Sequence, residues 1–205
     1  MKFLITRGQP YEYHEVTAQP IDLFSSSQVR KVAYDPYIGI PAQTLEAARQ
    51  RGTRLHHRFA MLLGSTLNLC PCPKPIAGLE GFCTSMDEWV TRNQVKPILI
   101  EESSASLKFG YAGTPDALVT IGPKQFKALI DLKTGTRTPT DSLQLVMYSK
   151  MDGYEEAGFL VDVYIQADGS RAKEERVTPG MKATEWAWAM AALGVLQSRV
   201  NHGVS

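Results

Sequence analysis

The clearest periodicity in the chain lies between residues 41 and 63. Leu45, Ala48, Gly52, Leu55, Phe59 and Leu62 recur there at three- and four-residue steps and define one buried stripe. A helix is expected over this stretch, stopping at Gly64. On such a helix His56 falls at the border of the packed face and His57 on the far side, so only His56 can look along the core. Gly52, one turn earlier, leaves room for another element to approach. Upstream, Ser25-Ser26-Ser27 followed by residues 28–33 reads as a short capped helix, ended by Tyr34-Asp35-Pro36-Tyr37.

Beyond the long helix, residues 67–81 are rich in Pro, Gly and Cys and read as a loop. Residues 85–91 form a helical turn with Met86, Trp89 and Val90 on its apolar side. Three strands follow, over 94–102 with Pro97 marking an edge, over 109–121, and over 125–134 after the connection Gly122-Pro123-Lys124. Together they make an antiparallel meander. Thr138-Pro139-Thr140-Asp141 signals a helix start, with a Thr138 cap, Pro at the first position and an acid in the first turn; the helix is expected to reach Asp152 and end at Gly153. Two more strands, over 159–166 and 175–177, flank a turn at 167–170. A last helix over 182–201 turns Trp186, Met190, Leu193 and Val200 toward the sheet.

The 205 residues suit one substantial core, and a single domain over 1–205 is expected: an N-terminal extension over 1–40, a core over 41–178 and the closing helix. No segment approaches the ~20 apolar residues of a membrane span, and residues 1–5 carry too short an apolar run for a secretory signal. The protein is therefore expected in the cytoplasm where it is made, a host's cytoplasm if it is viral, and away from membranes. A formal charge of +1 excludes a uniformly basic nucleic-acid binder. Between residues 28 and 58, however, Arg30, Lys31, Arg49, Arg51, Arg54 and Arg58 face only Asp35 and Glu46, which makes either a basic patch or a solvated helix surface. Cys70, Cys72 and Cys83 are an odd count with no zinc-like spacing, so reduced thiols are expected.

The candidate chemistry gathers between Tyr111 and Tyr148. Phe126, Ala128, Leu129 and Ile130 lead into Asp131-Leu132-Lys133-Thr134-Gly135, where the two-residue period puts Asp131 and Lys133 on one face. Gly113-Thr114-Pro115-Asp116 brings a second carboxylate at the head of another strand. Two acids and a lysine on adjacent strands suit a hard cation with an ammonium beside it, Asp116 and Asp131 supplying carboxylates and the Leu132 carbonyl a backbone oxygen. His56 would join only as neutral imidazole. Each pair also has a plainer reading: a strand-end salt bridge for Asp131 and Lys133, a turn for residues 113–116. Gln144 and Tyr148, four apart, share a helix face and read as packing or as a phosphate clamp.

A helix bearing Arg51-Gly52-Thr53-Arg54-Leu55-His56, an acid on a strand, Gly110-Tyr111-Ala112-Gly113-Thr114-Pro115-Asp116, then Asp131-Leu132-Lys133-Thr134-Gly135, then Gln144 with Tyr148: this order resembles the RecB-like and Cas4-like branch of the PD-(D/E)XK nuclease superfamily, small phage exonucleases in particular. The resemblance covers about residues 41–150. It implies an α/β fold of restriction-endonuclease type, an αβββαβ core with a central mixed sheet flanked by helices. It further implies dependence on Mg²⁺ or Mn²⁺ and hydrolysis of DNA phosphodiester bonds. Position by position, it implies metal ligation by His56, Asp116, Asp131 and the Leu132 backbone, catalysis by Asp116, Asp131, Lys133 and a strand acid, and DNA contacts at Gln144, Tyr148, Arg51, Arg54 and Thr134. The strand acid is Glu101 or Glu102, which point to alternate faces; Glu102 is preferred.

Phosphodiester hydrolysis needs an attacking water, charge relief on the phosphate and help for the leaving oxygen. Nearby acids keep Lys133 charged, so electrostatic stabilisation suits it better than a role as base. Tyr148 is available in this reading to stack on an unpaired base. The expected activity is a DNA exonuclease of recombination, repair or phage DNA processing, with a single-strand annealing protein as a partner by analogy. The rivals are a structure-specific endonuclease of the same fold and a noncatalytic DNA-binding recombination protein. An iron–sulfur variant using the three cysteines is a third.

Overall fold

The computed structural model describes residues 3–6, 12–15, 22–35, 38–67 and 71–202. Its elements are β1 (Phe3–Thr6), β2 (Glu12–Glu15), β3 (Asp22–Ser25), α1 (Ser26–Ala33), α2 (Ala42–Thr66), α3 (Glu80–Arg92), β4 (Lys96–Ile100), β5 (Ser104–Ser106), β6 (Tyr111–Gly113), β7 (Ala117–Ile121), β8 (Phe126–Lys133), α4 (Asp141–Tyr148), β9 (Phe159–Tyr164), β10 (Lys173–Arg176) and α5 (Pro179–Asn201). The fold is mixed α/β, and α2–β4–β7–β8–α4–β9 reproduces the αβββαβ succession. A central sheet runs β10-β9-β8-β7-β4, with β8 and β9 parallel and the other pairs antiparallel. The second sheet runs β1-β2-β3-β6-β5, so strands from the first 40 residues are tied to the body through the parallel pair of β3 with β6.

The two-residue period divides the central sheet cleanly. Ala117, Val119, Ala128, Ile130, Leu132, Val161 and Val163 pack against Leu55, Phe59, Leu62 and Leu63 of α2 and Met86, Trp89 and Val90 of α3. Leu118, Leu129 and Leu160 turn the other way, into a cluster with α4, α5 and Val29 of α1. α4 is buried along its whole length, as a helix walled in on all sides must be. Each large apolar side chain buried this way contributes about 1.5–3 kcal/mol. Trp89 also keeps its polar end satisfied, its indole N–H donating to Glu174 at 2.9 Å.

Several boundaries differ from the sequence reading, each for a local reason. α2 does not stop at Gly64 but runs two residues further, the hydroxyls of Ser65 and Thr66 donating back to the carbonyls of Leu62 and Leu63. α3 begins at Glu80 rather than 85; Gly81 is not a breaker there but the point where the helix touches the turn after β9. The expected strand over 109–121 is interrupted. β6 belongs to the second sheet, Gly110 turns the chain with φ 78°, and β7 restarts after Pro115 and Asp116. β4, β7 and β8 are nonetheless the expected antiparallel meander, with Pro97 on the edge strand.

α4 starts at Asp141, not near Pro139, because the Asp141 carboxylate reaches back to accept from the N–H and hydroxyl of Thr138. It ends at Tyr148, after which tighter turns at Lys150 and Met151 replace the expected last turn. On α5, Leu193 is buried but Val200, in the last turn, is 67% exposed. The capping box at Ser25 and Gln28 is formed by both of its hydrogen bonds. Among the described residues no helix is long and apolar enough to cross a membrane.

Two glycines test this packing in opposite directions. A Cβ at Gly81 would collide with the carbonyl oxygen of Ala167 and lie 2.7 Å from its carbon, whereas one at Gly194, in the exposed middle of α5, meets nothing within 4 Å. Gly81→Ala is expected to cost about 3 kcal/mol and lower the melting temperature by roughly 6–12 °C. Gly194→Ala is expected to gain about 1 kcal/mol and raise it by a few degrees. Thermal melts of the two variants in one buffer check both signs.

Candidate active site

At the C-terminal end of the β8–β9 pair the apolar layer gives way to charge. Leu129 lies beside Leu160, then Asp131 beside Asp162, then Lys133 beside Tyr164, all on the face that receives α4. Asp116, just before β7, closes the group from the other side. One of its carboxylate oxygens is 2.8 Å from Nδ1 of His56, and the other accepts from the Leu132 N–H at 2.6 Å. It therefore ties α2 to β8. His56 reaches this position from the border of the packed face, while His57 is exposed. Thr134 lies over the backbone of α2, its Oγ1 3.9 Å from where a Gly52 side chain would begin.

Lys133 is ion-paired with Asp131, and its Nζ lies 3.8 Å from Asp141, 3.9 Å from Asp162 and 3.3 Å from Oε1 of Gln144, to which it donates. Gln144 in turn donates to the Tyr148 hydroxyl at 2.7 Å. From α1, Arg30 donates to the same Gln144 oxygen at 3.0 Å and to Thr140 at 3.2 Å, with Asp141 at 3.7 Å. Tyr164 donates to Asp141 at 2.9 Å. His56, Asp116, Asp131, Lys133, Gln144 and Tyr148 thus form one connected polar cluster.

Not every expected site residue joins it. Glu102 is exposed, and its backbone carbonyl accepts from the Tyr154 hydroxyl. Glu101 is exposed as well; desolvation and the Asp116 charge push its carboxyl up, with His56 and His57 opposing. β4 ends at Ile100 and Glu101 adopts a left-handed turn, φ 47°, so the strand alternation on which the preference for Glu102 rested does not extend to either acid. Arg51 lies over the Phe82 ring of α3, 5.9 Å from its centroid, and Arg54 is exposed. The Tyr148 ring is buried against Gly113 and offers no face to a base.

The basic stretch is also less of a surface than its sequence suggests. Arg58 is buried in a two-pronged pair with Asp87, at 2.7 and 2.8 Å, and also donates to the carbonyls of Pro73 and Lys74. Arg30 points inward. Of the cysteines, Cys72 is exposed, Cys83 is buried in α3 with its sulfur accepting from the Ile76 N–H, and Cys70 lies outside the described residues.

Three members of the cluster were not singled out in advance as site residues: Asp162, Asp141 and Arg30. Asp162 carries a visible signal, an acid in the middle of the apolar strand Phe-Leu-Val-Asp-Val-Tyr. Asp141 reads from sequence only as a helix-start acid, and nothing around Arg30 sets it apart from its basic neighbours.

The electrostatics follow from burial. Burial pushes the Asp131 carboxyl up, opposed by Lys133 and reinforced by the Asp116 charge. Burial also pushes Asp162 up, again against Lys133 and with Asp131 and Asp141 adding to it. Lys133 itself is raised, since Asp131, Asp162 and Asp141 outweigh its desolvation. For His56 desolvation works against the cation, but the charge and hydrogen bond of Asp116, with Asp131 behind, lift it to about 9.

Among the described residues no three His, Cys, Asp or Glu side chains converge as ligands of one ion. The donor chemistry nevertheless suits a hard divalent cation. Asp131 and Asp116 are close enough to repel, and that repulsion is now relieved by Lys133 and by the charge on His56.

No protein-family model matches the chain, and no curated protein matches it. Among solved structures, it is similar to an alkaline exonuclease (LHK-Exo) from Laribacter hongkongensis, at 13% identity over 88% of this chain and 90% of the other, with a TM-score of 0.44. A structure of LHK-Exo in complex with dAMP gives 16% identity over the same shares, also at a TM-score of 0.44. A likeness this slight carries no argument about activity, and the functional reading rests on the cluster itself.

The His56–Asp116 pair gives the metal-free protein a definite pH signature. The folded-state pKa of His56 is raised from 6.5 to about 9, so its stabilisation is complete below pH 6.5 and is lost as pH rises through 9. Because the side chain is 31% exposed, the effect is set at on the order of 2 kcal/mol, below the full shift. In the presence of chelator, wild type should melt several degrees above His56→Gln at pH 6, and the gap should close by pH 9.5. A gap that widens with pH would contradict the assignment.

Proposed function

We propose that this protein is a divalent-metal-dependent deoxyribonuclease that hydrolyses phosphodiester bonds from DNA ends. The observation that carries the reading is the meeting of His56, Asp116, Asp131 and Lys133, drawn from α2, the head of β7 and the end of β8, in one cluster. Asp116 and Asp131, with the Leu132 carbonyl and a neutral His56, are the groups that would hold Mg²⁺ or Mn²⁺. The ion, when bound, supplies Lewis-acid charge relief at the phosphate.

The chain's own residues account for the rest. Lys133, kept charged by the surrounding acids, neutralises charge that develops on the phosphate oxygens. Gln144 and Arg30 hold the lysine's side of the site, Gln144 by accepting from Nζ and Arg30 by fixing Gln144. Tyr148, hydrogen-bonded to Gln144, orients that amide rather than meeting DNA. Attack from DNA ends, in preference to internal sites, rests on the motif order that resembles phage exonucleases.

The test uses linear and covalently closed circular DNA with Mg²⁺ or Mn²⁺. Linear DNA should be degraded and closed circles spared; nicking of the circles would replace the exonuclease reading with an endonuclease one. Chelator should abolish cutting. Lys133→Met and Asp131→Asn should each slow it at least about 100-fold while the protein still melts cooperatively. DNA retention without any cutting, unchanged by chelator and by Asp131→Asn, would identify a noncatalytic binder instead.

A further inference from the structure

Asp162 sits in the middle of β9 with no exposed surface. Among the described residues, neither of its carboxyl oxygens has a hydrogen-bond partner. A buried polar group left this way costs free energy, and an apolar residue would continue the layer begun by Leu129 and Leu160. Its surroundings show what it faces instead. Across the parallel pair its neighbour is Asp131, and 3.9 Å from its Oδ1 is the Lys133 ammonium. Asp141, the other acid at that distance from Lys133, is by contrast anchored by Thr138 and Tyr164.

Lys133 now spends its charge on Asp131 and one hydrogen bond on Gln144. An ammonium has three donors, and a lysine stem is flexible enough to swing out when a partner is lost. If Asp131 is taken up by a cation, the pair that holds Lys133 in place is gone. We propose that Asp162 is a positioning residue for Lys133: with Asp141, it accepts the ammonium once Asp131 is engaged by a divalent cation, and so keeps the lysine in the site. Gln144 alone provides one neutral acceptor, which is weaker than a charge-assisted contact. The inference rests on the metal-dependent reading of the cluster, but it concerns only this chain's side chains and is testable without metal.

Asp131→Asn stands in for an engaged carboxylate in the metal-free protein. Lys133 is then probed by acetylation of the folded protein with an N-hydroxysuccinimide ester, quantified on the Lys133 peptide by mass spectrometry. Asp131→Asn or Asp162→Asn alone should change the Lys133 labelling rate by less than about twofold, and the double variant should raise it about tenfold. Equal rates in Asp131→Asn and the double variant would overturn the proposal.

A second measurement separates positioning from mere support of the fold. Asp162→Asn keeps the side chain's size and removes a buried carboxyl that has no hydrogen-bond partner among the described residues, so it should melt no lower than wild type. In DNA hydrolysis its kcat should fall about 10–100-fold with KM for DNA nearly constant. A lower melting temperature with activity falling in step, or an unchanged kcat, would overturn the role; Asp162→Ala repeats the comparison with a side chain that makes no new hydrogen bond. If wild type cuts no DNA, the hydrolytic reading fails while the labelling cycle still decides what Asp162 does.

Discussion

A buried carboxylate must be answered by a proton or a cation, and four aspartates at one end of the β8–β9 seam impose that demand on everything around them. Asp116, Asp131, Asp141 and Asp162 are each no more than 9% exposed. Their answering charges come from three different places: Lys133 from the seam itself, His56 from α2 and Arg30 from α1. The Arg30 and His56 pairings also join separate elements, whereas Lys133 pairs with Asp131 inside β8 and reaches across to Asp162 of β9. Breaking one of these three ion pairs would leave an uncompensated charge in a buried site, which is costlier than losing a surface pair.

That arrangement runs against what packing alone would select. The face of the central sheet that receives α4 begins with Leu118, Leu129 and Leu160, and Val or Ile at 131 and 162 would extend it without strain. Polar groups that break a local rule without a structural gain mark places where function has set the sequence. Asp162 is the plainest instance, because among the described residues its carboxyl receives no hydrogen bond in return. Asp116 is different: both its oxygens are used, one on His56 and one on the Leu132 backbone, and it serves the architecture whatever else it does.

Where the sequence was read well, the cue was periodic or local. The α2 stripe, the meander and the capped short helix after Ser25 each depend on spacing within a few residues; the meander and the capped helix are present, and the stripe is buried from Leu55 on, with Leu45, Ala48 and Gly52 only partly covered. The same period placed His56 rather than His57 toward the site. Where the reading erred, a tertiary contact decided the outcome. Gly81 looks like a helix breaker in the chain and is in fact a close approach to Ala167. Gly64 looks like a stop, yet it is buried inside α2. The choice between Glu101 and Glu102 relied on a strand alternation that ends at Ile100, where Glu101 turns left-handed. Arg30 enters the site through hydrogen bonds to Thr140 and Gln144, 110 and 114 residues away, Asp162 through strand order beside Asp131, and Asp141 through Tyr164 and Arg30, none of which a local pattern encodes.

The metal-free balance of the cluster also constrains how it can work. Lys133 pairs with one candidate ligand and the His56 cation with the other, so both acids already have positive neighbours. A divalent ion added to that set must displace part of it, since like charges a few ångströms apart repel strongly at low dielectric. His56 has a simple response, loss of its proton, which turns it from a competing cation into a possible ligand. Lys133 does not, because the surrounding acids hold it charged. It must therefore stay as an ammonium and change partners. The carboxyls available to it among the described residues are those of Asp141 and Asp162, and of these two the second has no other hydrogen bond there to give up.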